Sequence, residues 1–289
     1  MGSAVVKRHE IAENRSPASN LGPGGLKYVS IESWGLDAQV AGCFMSDFVL
    51  RVGSRSAQGV RSNNEDRLHI DLGRKLFIVA DGMGGQERGE IASELAVEII
   101  PKVLDDRLAA AEAADAAVAK AFASANSAII EAGKTQPEGR RMGTTAVCAL
   151  HHNGQVFIAG LGDSRAYLIR GEEVDQLTVD HSVAQALVAC GAISAEEART
   201  SPYQHVLHKF LGCVNMHDNA EVKPFVPQAG DRLVLGSDGL TNHISDADLR
   251  EGPERFADAQ QWADDLVETA LRRGSRDNVS CIVVVFEGT

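Results

Sequence analysis

The chain reads as an antiparallel, layered α+β protein, and three observations lead there. Clusters of short apolar strands alternate with pairs of helices instead of following strict strand-helix-strand order. Runs such as Leu76-Phe-Ile-Val79 are apolar at every position, the pattern of strands buried on both faces. Acidic signatures stand beside Gly or Asn at the ends of strand-like runs: Asn64-Glu65-Asp66, Asp81-Gly82-Met83-Gly84-Gly85, Gly162-Asp163-Ser164-Arg165, Ser237-Asp238-Gly239 and Asp277-Asn278. Glycine lets the backbone turn sharply there, so each carboxylate is aimed into a sheet rim where a hard cation can be held.

Taken in order, residues 1–46 mix Ser, Pro, Gly, Asn and isolated charges and read as a flexible extension, with the domain proper expected over 47–289. Met45 lies just ahead of the first strand and is an alternative start of translation to Met1. Strands are expected at Asp47–Val52, Arg67–Asp71 and Lys75–Ala80. Ala-rich helices follow at Ile91–Leu104 and Glu112–Ala132, with Val118, Phe122, Ala125 and Ile129 at helical spacing; Pro101 is expected to kink or end the first. Thr145–His151, Gln155–Gly160, Arg165–Arg170 and Val174–Leu177 read as an antiparallel meander joined by tight turns at Asn153-Gly154 and Gly171. Short helices are expected at Ser182–Ala189 and Ser194–Arg199, the second opened by the capping box Ser194-Ala-Glu-Glu197. Ser201–Gln228 shows the least pattern. Strand Asp231–Leu235, helix Gln260–Arg272 and strand Cys281–Phe286 close the chain.

The composition narrows the function classes. At 289 residues, with 44% apolar and 24% charged residues, the chain can bury a full core. A net charge of -12 argues against nonspecific binding to nucleic acid or anionic membrane. Some of that excess is expected to be ligand carboxylates. The five cysteines are widely spaced, form no CxxC, and have no Arg six positions on, so neither a zinc knuckle nor a thiolate phosphatase loop is indicated. Packing cysteines of a reducing compartment are expected, and with no apolar run of the ~18 residues needed to span a bilayer, a cytoplasmic location.

The acidic signatures carry the chemistry. Phe77-Ile-Val-Ala-Asp81-Gly82 and Leu233-Val-Leu-Gly-Ser237-Asp238-Gly239 are one device used twice, an apolar strand that delivers an Asp into a glycine turn. Either alone is ordinary; together with Asp163 and Asp277 they suggest a shared centre for Mg or Mn, which take oxygen ligands from a few carboxylates and water. Without a cation such a cluster repels itself and raises its own pKa values.

The ordered set Arg61-Ser-Asn-Asn-Glu65-Asp66, Asp81-Gly-Met-Gly-Gly85, Gly143-Thr-Thr145, Gly162-Asp-Ser-Arg165, Asp180-His181-Ser182, Gly236-Ser-Asp-Gly-Leu-Thr241 and Arg276-Asp-Asn-Val-Ser280 resembles the metal-dependent serine/threonine protein phosphatases of type 2C, in their bacterial-like form. The resemblance runs from about residue 48 to the end. It implies a four-layer α-β-β-α fold, an antiparallel β-sandwich flanked on both faces by antiparallel helix pairs. It also implies hydrolysis of phosphoserine and phosphothreonine in proteins by a hydroxide bridging two Mn2+ or Mg2+ ions. By motif, Asp81 would bridge the two ions, the Gly82 carbonyl and Glu65 would serve the second, and Asp238 and Asp277 would complete the first. Asp163 would hold a third, weaker ion, Asp66 would orient coordinated water, and Arg61 would clamp the phosphoryl group. The implied partners are phosphorylated proteins and a cognate kinase pathway, with the chain acting as a monomer.

Three departures from the family pattern stand out. Met83 replaces the His proposed as general acid in many eukaryotic relatives, which leaves a coordinated water as the expected acid. Ser56-Ala-Gln-Gly59 lacks an Asp often found there, and His208-Lys209 stand where Thr-Arg is frequent. Two other readings stay open at this level, a catalytically silent phosphoprotein-binding module and a hydrolase of small phosphate esters. Gly133-Lys134-Thr135 is expected to be a helix end, His151-His152 and His181 to be structural, and the cluster Arg272–Arg276 to be a solvated helix end.

Overall fold

The computed structural model describes residues 48–84, 88–134, 142–214 and 220–288. The expected extension over 1–46 lies outside the described residues. Among the described residues, eleven strands form two antiparallel sheets. One has the order β1 (Phe48–Ala57), β11 (Val279–Gly288), β10 (Arg232–Gly236), β7 (Arg165–Arg170), β8 (Glu173–Gln176). The other runs β2 (Asp66–Asp71), β3 (Leu76–Met83), β5 (Ala146–His152), β6 (Gln155–Leu161), β9 (Val222–Phe225), with the two-residue β4 (Gly143–Thr144) on β3.

The continuous apolar runs are explained by the two-sided burial of these strands. On β3, Phe77 and Val79 point into the sandwich, where they meet Val147 and Ile158 of their own sheet and Leu233, Leu235, Ile282, Val284 and Phe286 of the other. Leu76, Ile78 and Ala80 point the opposite way, onto helices α1 (Arg88–Ala109) and α2 (Ala114–Lys134), whose buried stripe includes Ala92, Ala96, Ile100, Phe122 and Ile129. On the far face Val234, Cys281 and Val283 meet Trp262, Ala263, Leu266 and Val267 of α7 (Ala259–Arg272). Each fully buried large side chain contributes about 1.5–3 kcal/mol. Helices therefore cover both outer faces, as the sequence predicts.

Four local expectations are corrected. Helix α1 runs through Pro101 to Ala109; one missing donor does not end it while Ile100, Pro101 and Leu104 are all packed in the core. The strands from 146 to 176 are not one meander. β5–β6 and β7–β8 pair within different sheets, because Gly162, at φ +103, turns the chain across the sandwich between them. The stretch after Ser201 contains β9, which pairs with β6. Two helices escaped the sequence reading: α5 (Asp238–Thr241), only one turn long, and α6 (Asp246–Arg255), which carries Gly252 and Pro253 and few apolar residues. The cluster Arg272–Arg276 is an exposed helix end, as expected, and Arg273 also makes two hydrogen bonds to Asp248, at 2.6 and 2.7 Å, and one to the His243 carbonyl.

Other expectations hold. Ser194 and Glu197 form the reciprocal capping box at α4 (Ala195–Arg199). His151 is buried edge-on to Phe48 and Phe286. Lys134 ends α2, whereas Thr135 lies outside the described residues. Cys148 and Cys281 are buried free thiols, pushed up to about 12 by that burial and so inert as nucleophiles.

Candidate metal centre

Antiparallel order brings the acidic signatures together. β1, β3, β6 and β10 end, and β2, β7 and β11 begin, at one edge of the sandwich. Arg61 after β1, Glu65 before β2, Asp81 in β3, Asp163 after β6, Asp238 after β10 and Asp277 before β11 line a single cleft of about 410 Å³. Asp66 lies beneath it. All eight residues singled out from the sequence are thereby gathered, Gly82 among the cleft walls.

Neighbouring residues fix the segments that carry these carboxylates. Asp66 and Asp81 are register partners on β2 and β3. The backbone of Asp81 is fixed by Thr144 and Thr145: the Asp81 amide donates to Thr145 Oγ1 at 3.2 Å, and its carbonyl accepts from the Thr145 amide at 2.8 Å and the Thr144 hydroxyl at 2.9 Å. Ser237 precedes α5 in the N-cap position yet makes no side-chain cap; its hydroxyl donates to Asp66 Oδ2 at 2.9 Å and accepts from the Ser280 amide. Asn278 ties three segments, donating to the Gln58 and Asn63 carbonyls and accepting from the Glu65 amide, each at 2.9 Å. Arg61 Nη2 lies 2.5 Å from Asp277 Oδ2.

Gly82 has a steric reason beyond its turn. A Cβ there would collide with the Gly89 carbonyl, so β3 and the first turn of α1 touch backbone to backbone. A Cβ on Gly89 would in turn collide with the Glu65 carboxylate. The start of α1, with its partial positive charge, is thus brought against Glu65.

Two separate motifs prove to be one unit. The Arg165 guanidinium grips Asp180 through Nε at 2.9 Å and Nη2 at 2.7 Å. His181 Nδ1 accepts from the Gly162 amide at 3.2 Å, and the His181 amide donates to the Gly162 carbonyl at 2.9 Å. Ser182, not His181, caps α3 (Val183–Ala189). His181 is therefore structural, as expected, but its object is the turn that carries Asp163.

The electrostatics are those of a site built for positive charge. Burial raises Asp66 to about 7, outweighing the hydroxyls of Ser280 and Ser237, and Asp238 and Asp277 add repulsion. Burial and then the charges of Asp66 and Asp238 hold Asp81 well above the usual carboxylate range. Asp163 is likewise raised to about 7, by burial and by Asp238. Asp66 Oδ1 is buried without a hydrogen-bond partner. Crowded oxygen donors with an unmet acceptor fit a hard divalent cation. Among the described residues, ligand atoms of Asp163, His205 and Asp238 lie within 4.8 Å of one another. His205 is the site residue the sequence reading missed, because it comes from the stretch with least pattern.

A sandwich whose two sheets jointly supply an oxygen-rich cation centre defines the class of protein. Residues 54–281 match the protein phosphatase 2C family, to which the chain belongs. It is 37% identical over 242 residues to the serine/threonine protein phosphatase PstP of Mycobacterium tuberculosis, covering 81% of this chain and 45% of that protein. It thus spans about half the length of that relative. It is 34% identical over 232 residues to the serine/threonine phosphatase stp of Listeria innocua, covering 78% of this chain and 91% of that protein. The crystal structure of Mycobacterium tuberculosis PstP/Ppp superposes with a TM-score of 0.73 at 35% identity, covering 82% of this chain and 99% of that one. The PstP catalytic domain in complex with two manganese ions gives 0.70 at 35% identity, covering 83% and 100%.

Proposed function

We propose that the chain hydrolyses phosphoserine and phosphothreonine in proteins, using two divalent cations, Mn2+ or Mg2+, with a third nearby. The observation that carries this reading is the convergence of Asp81, Asp238 and Asp277 with Arg61 in one cleft. The manganese-containing relative and the family's match over most of the chain support it.

The roles follow from position. Asp81, the Gly82 carbonyl, Glu65, Asp238 and Asp277 are assigned to the two core ions, and Asp163 to the third. What such ions supply when bound is acidification of coordinated water and neutralisation of phosphoryl charge. Arg61 is free to turn from Asp277 to a phosphoryl group once that carboxylate is otherwise neutralised, and its planar fork suits two phosphoryl oxygens. Asp66, held by Ser237, presents an acceptor that fixes the orientation of water above it. Met83 lines the cleft and has no proton to give, so the leaving serine or threonine oxygen takes its proton from elsewhere than the Asp81–Gly84 turn.

The wider setting belongs to the same proposal. Residues 47–289 form the phosphatase domain, the substrates are phosphoproteins made by a cognate serine/threonine kinase, and the protein signals in the cytoplasm as a monomer. No described helix is long and apolar enough to cross a membrane. The test is phosphate release from a phosphothreonine peptide with and without Mn2+, alongside Asp238→Ala. Metal-dependent release abolished in the variant is expected; equal release by both proteins refutes the assignment.

A further inference from the structure

We propose that His205 is a direct ligand of a third metal site completed by Asp163 and Asp238, and that an ion there ties the 201–208 segment to the catalytic floor. The proposal rests on the metal-dependent reading above. Its new content is an imidazole in an otherwise all-oxygen centre.

His205 reaches the cleft from a turn, with Nδ1 3.7 Å from Asp238 Oδ2. The three donors span no more than 4.8 Å, so small side-chain rotations bring them around one ion at bond lengths of about 2.0–2.2 Å. Asp163 follows β6 and Asp238 follows β10, strands of the two different sheets, whereas His205 belongs to neither. An ion held by all three joins sandwich and turn.

The turn is already registered to Asp163 through a chain of backbone bonds. The Val183 amide donates to the Val206 carbonyl at 2.7 Å, and the Ala184 amide to the Tyr203 carbonyl at 3.3 Å. Ser182 and Leu207 form a bridge, and the His208 amide donates to the His181 carbonyl at 2.9 Å. His181 in turn brackets Gly162, next to Asp163, by two bonds. One continuous frame therefore sets His205 against Asp163. No bond of that frame uses the His205 side chain, which is left to the cleft.

Imidazole changes the choice of metal. Carboxylate and water suit Mg2+ and Mn2+ alike, whereas a nitrogen ligand favours transition metals over Mg2+. The third site is thus expected to prefer Mn2+ to Mg2+ more strongly than the two core sites do.

The test is pulsed electron paramagnetic resonance of the full chain titrated with Mn2+, which reads nitrogen bonded directly to manganese, combined with calorimetric counting of ions. Wild type is expected to show imidazole nitrogen on one bound Mn2+. In His205→Ala that signal should vanish, the weakest ion should bind about tenfold less tightly, and amide exchange over 203–207 should no longer slow on adding Mn2+. His205→Asp should recover affinity but not the Mn2+ preference. Three bound ions without nitrogen coupling in wild type, or undiminished coupling or third-ion affinity in His205→Ala, overturn the proposal. Two ions and no third in wild type overturn it while leaving the phosphatase reading intact. A wild type that takes up no Mn2+ removes both.

Discussion

Asp66 and Asp81 are directly opposed on neighbouring strands, so β2–β3 pairing itself presses two carboxylates onto one face of a sheet. Like charges so placed destabilise an antiparallel pair, and Asp238, Asp277 and Asp163 add to the repulsion. The fold tolerates this arrangement at its functional edge and makes up for it in three apolar layers elsewhere.

Stability without metal should fall as pH rises. Asp66 and Asp163 are raised to about 7 in the folded protein, against about 3.9 for an unfolded Asp. Between those values the native state holds more protons than the unfolded one, so stability declines through that window as pH increases. In excess chelator the melting temperature should be higher at pH 5.5 than at pH 8 by at least about 3 °C, a shift of roughly 1 kcal/mol. Mn2+ should raise it most at pH 8. A chelated protein whose melting temperature climbs from pH 5.5 to 8 contradicts the account.

Activity and stability should separate at Asp81. Asp81→Asn removes a charge from the repulsive cluster while keeping its shape. Phosphopeptide turnover should drop by roughly a thousandfold or more, the scale of losing a metal's contribution. The chelated variant should melt no lower than chelated wild type. Equal losses of turnover and stability would show that Asp81 is structural.

Arg61→Lys keeps the charge and removes the fork. Loss of bidentate phosphoryl binding is expected to reduce kcat/KM by about 10- to 100-fold, chiefly through KM. Steady-state kinetics on one phosphothreonine peptide decide it, and unchanged constants would exclude Arg61 as the clamp.

Two glycines in helices should respond oppositely to alanine. A Cβ on Gly252 of α6 would collide with the buried Trp262 indole, so Gly252→Ala should cost about 1–3 kcal/mol. Gly133 of α2 has open space around it, and Gly133→Ala should stabilise by about 0.5–1 kcal/mol. Urea unfolding of both variants tests the packing of α6 on α7.

Local chemistry is what the sequence determined alone. Alternating strand and helix clusters, the capping box at Ser194, and carboxylates delivered into glycine turns all depend on near neighbours along the chain, and each is legible there. The residues proposed as ligands were legible for the same reason, since Asp81 and Asp238 repeat one strand-to-turn pattern. Tertiary structure decided what depends on partners far away in sequence. Pro101 stays helical because its surroundings are packed. β6 and β7 part into different sheets because Gly162 turns between them. Ser237 gives up its cap to hold Asp66, 171 residues away, and Arg165 finds Asp180. His205 reaches Asp238 from a segment whose position is set by hydrogen bonds to 181–184, which leave no periodic trace in the residues themselves.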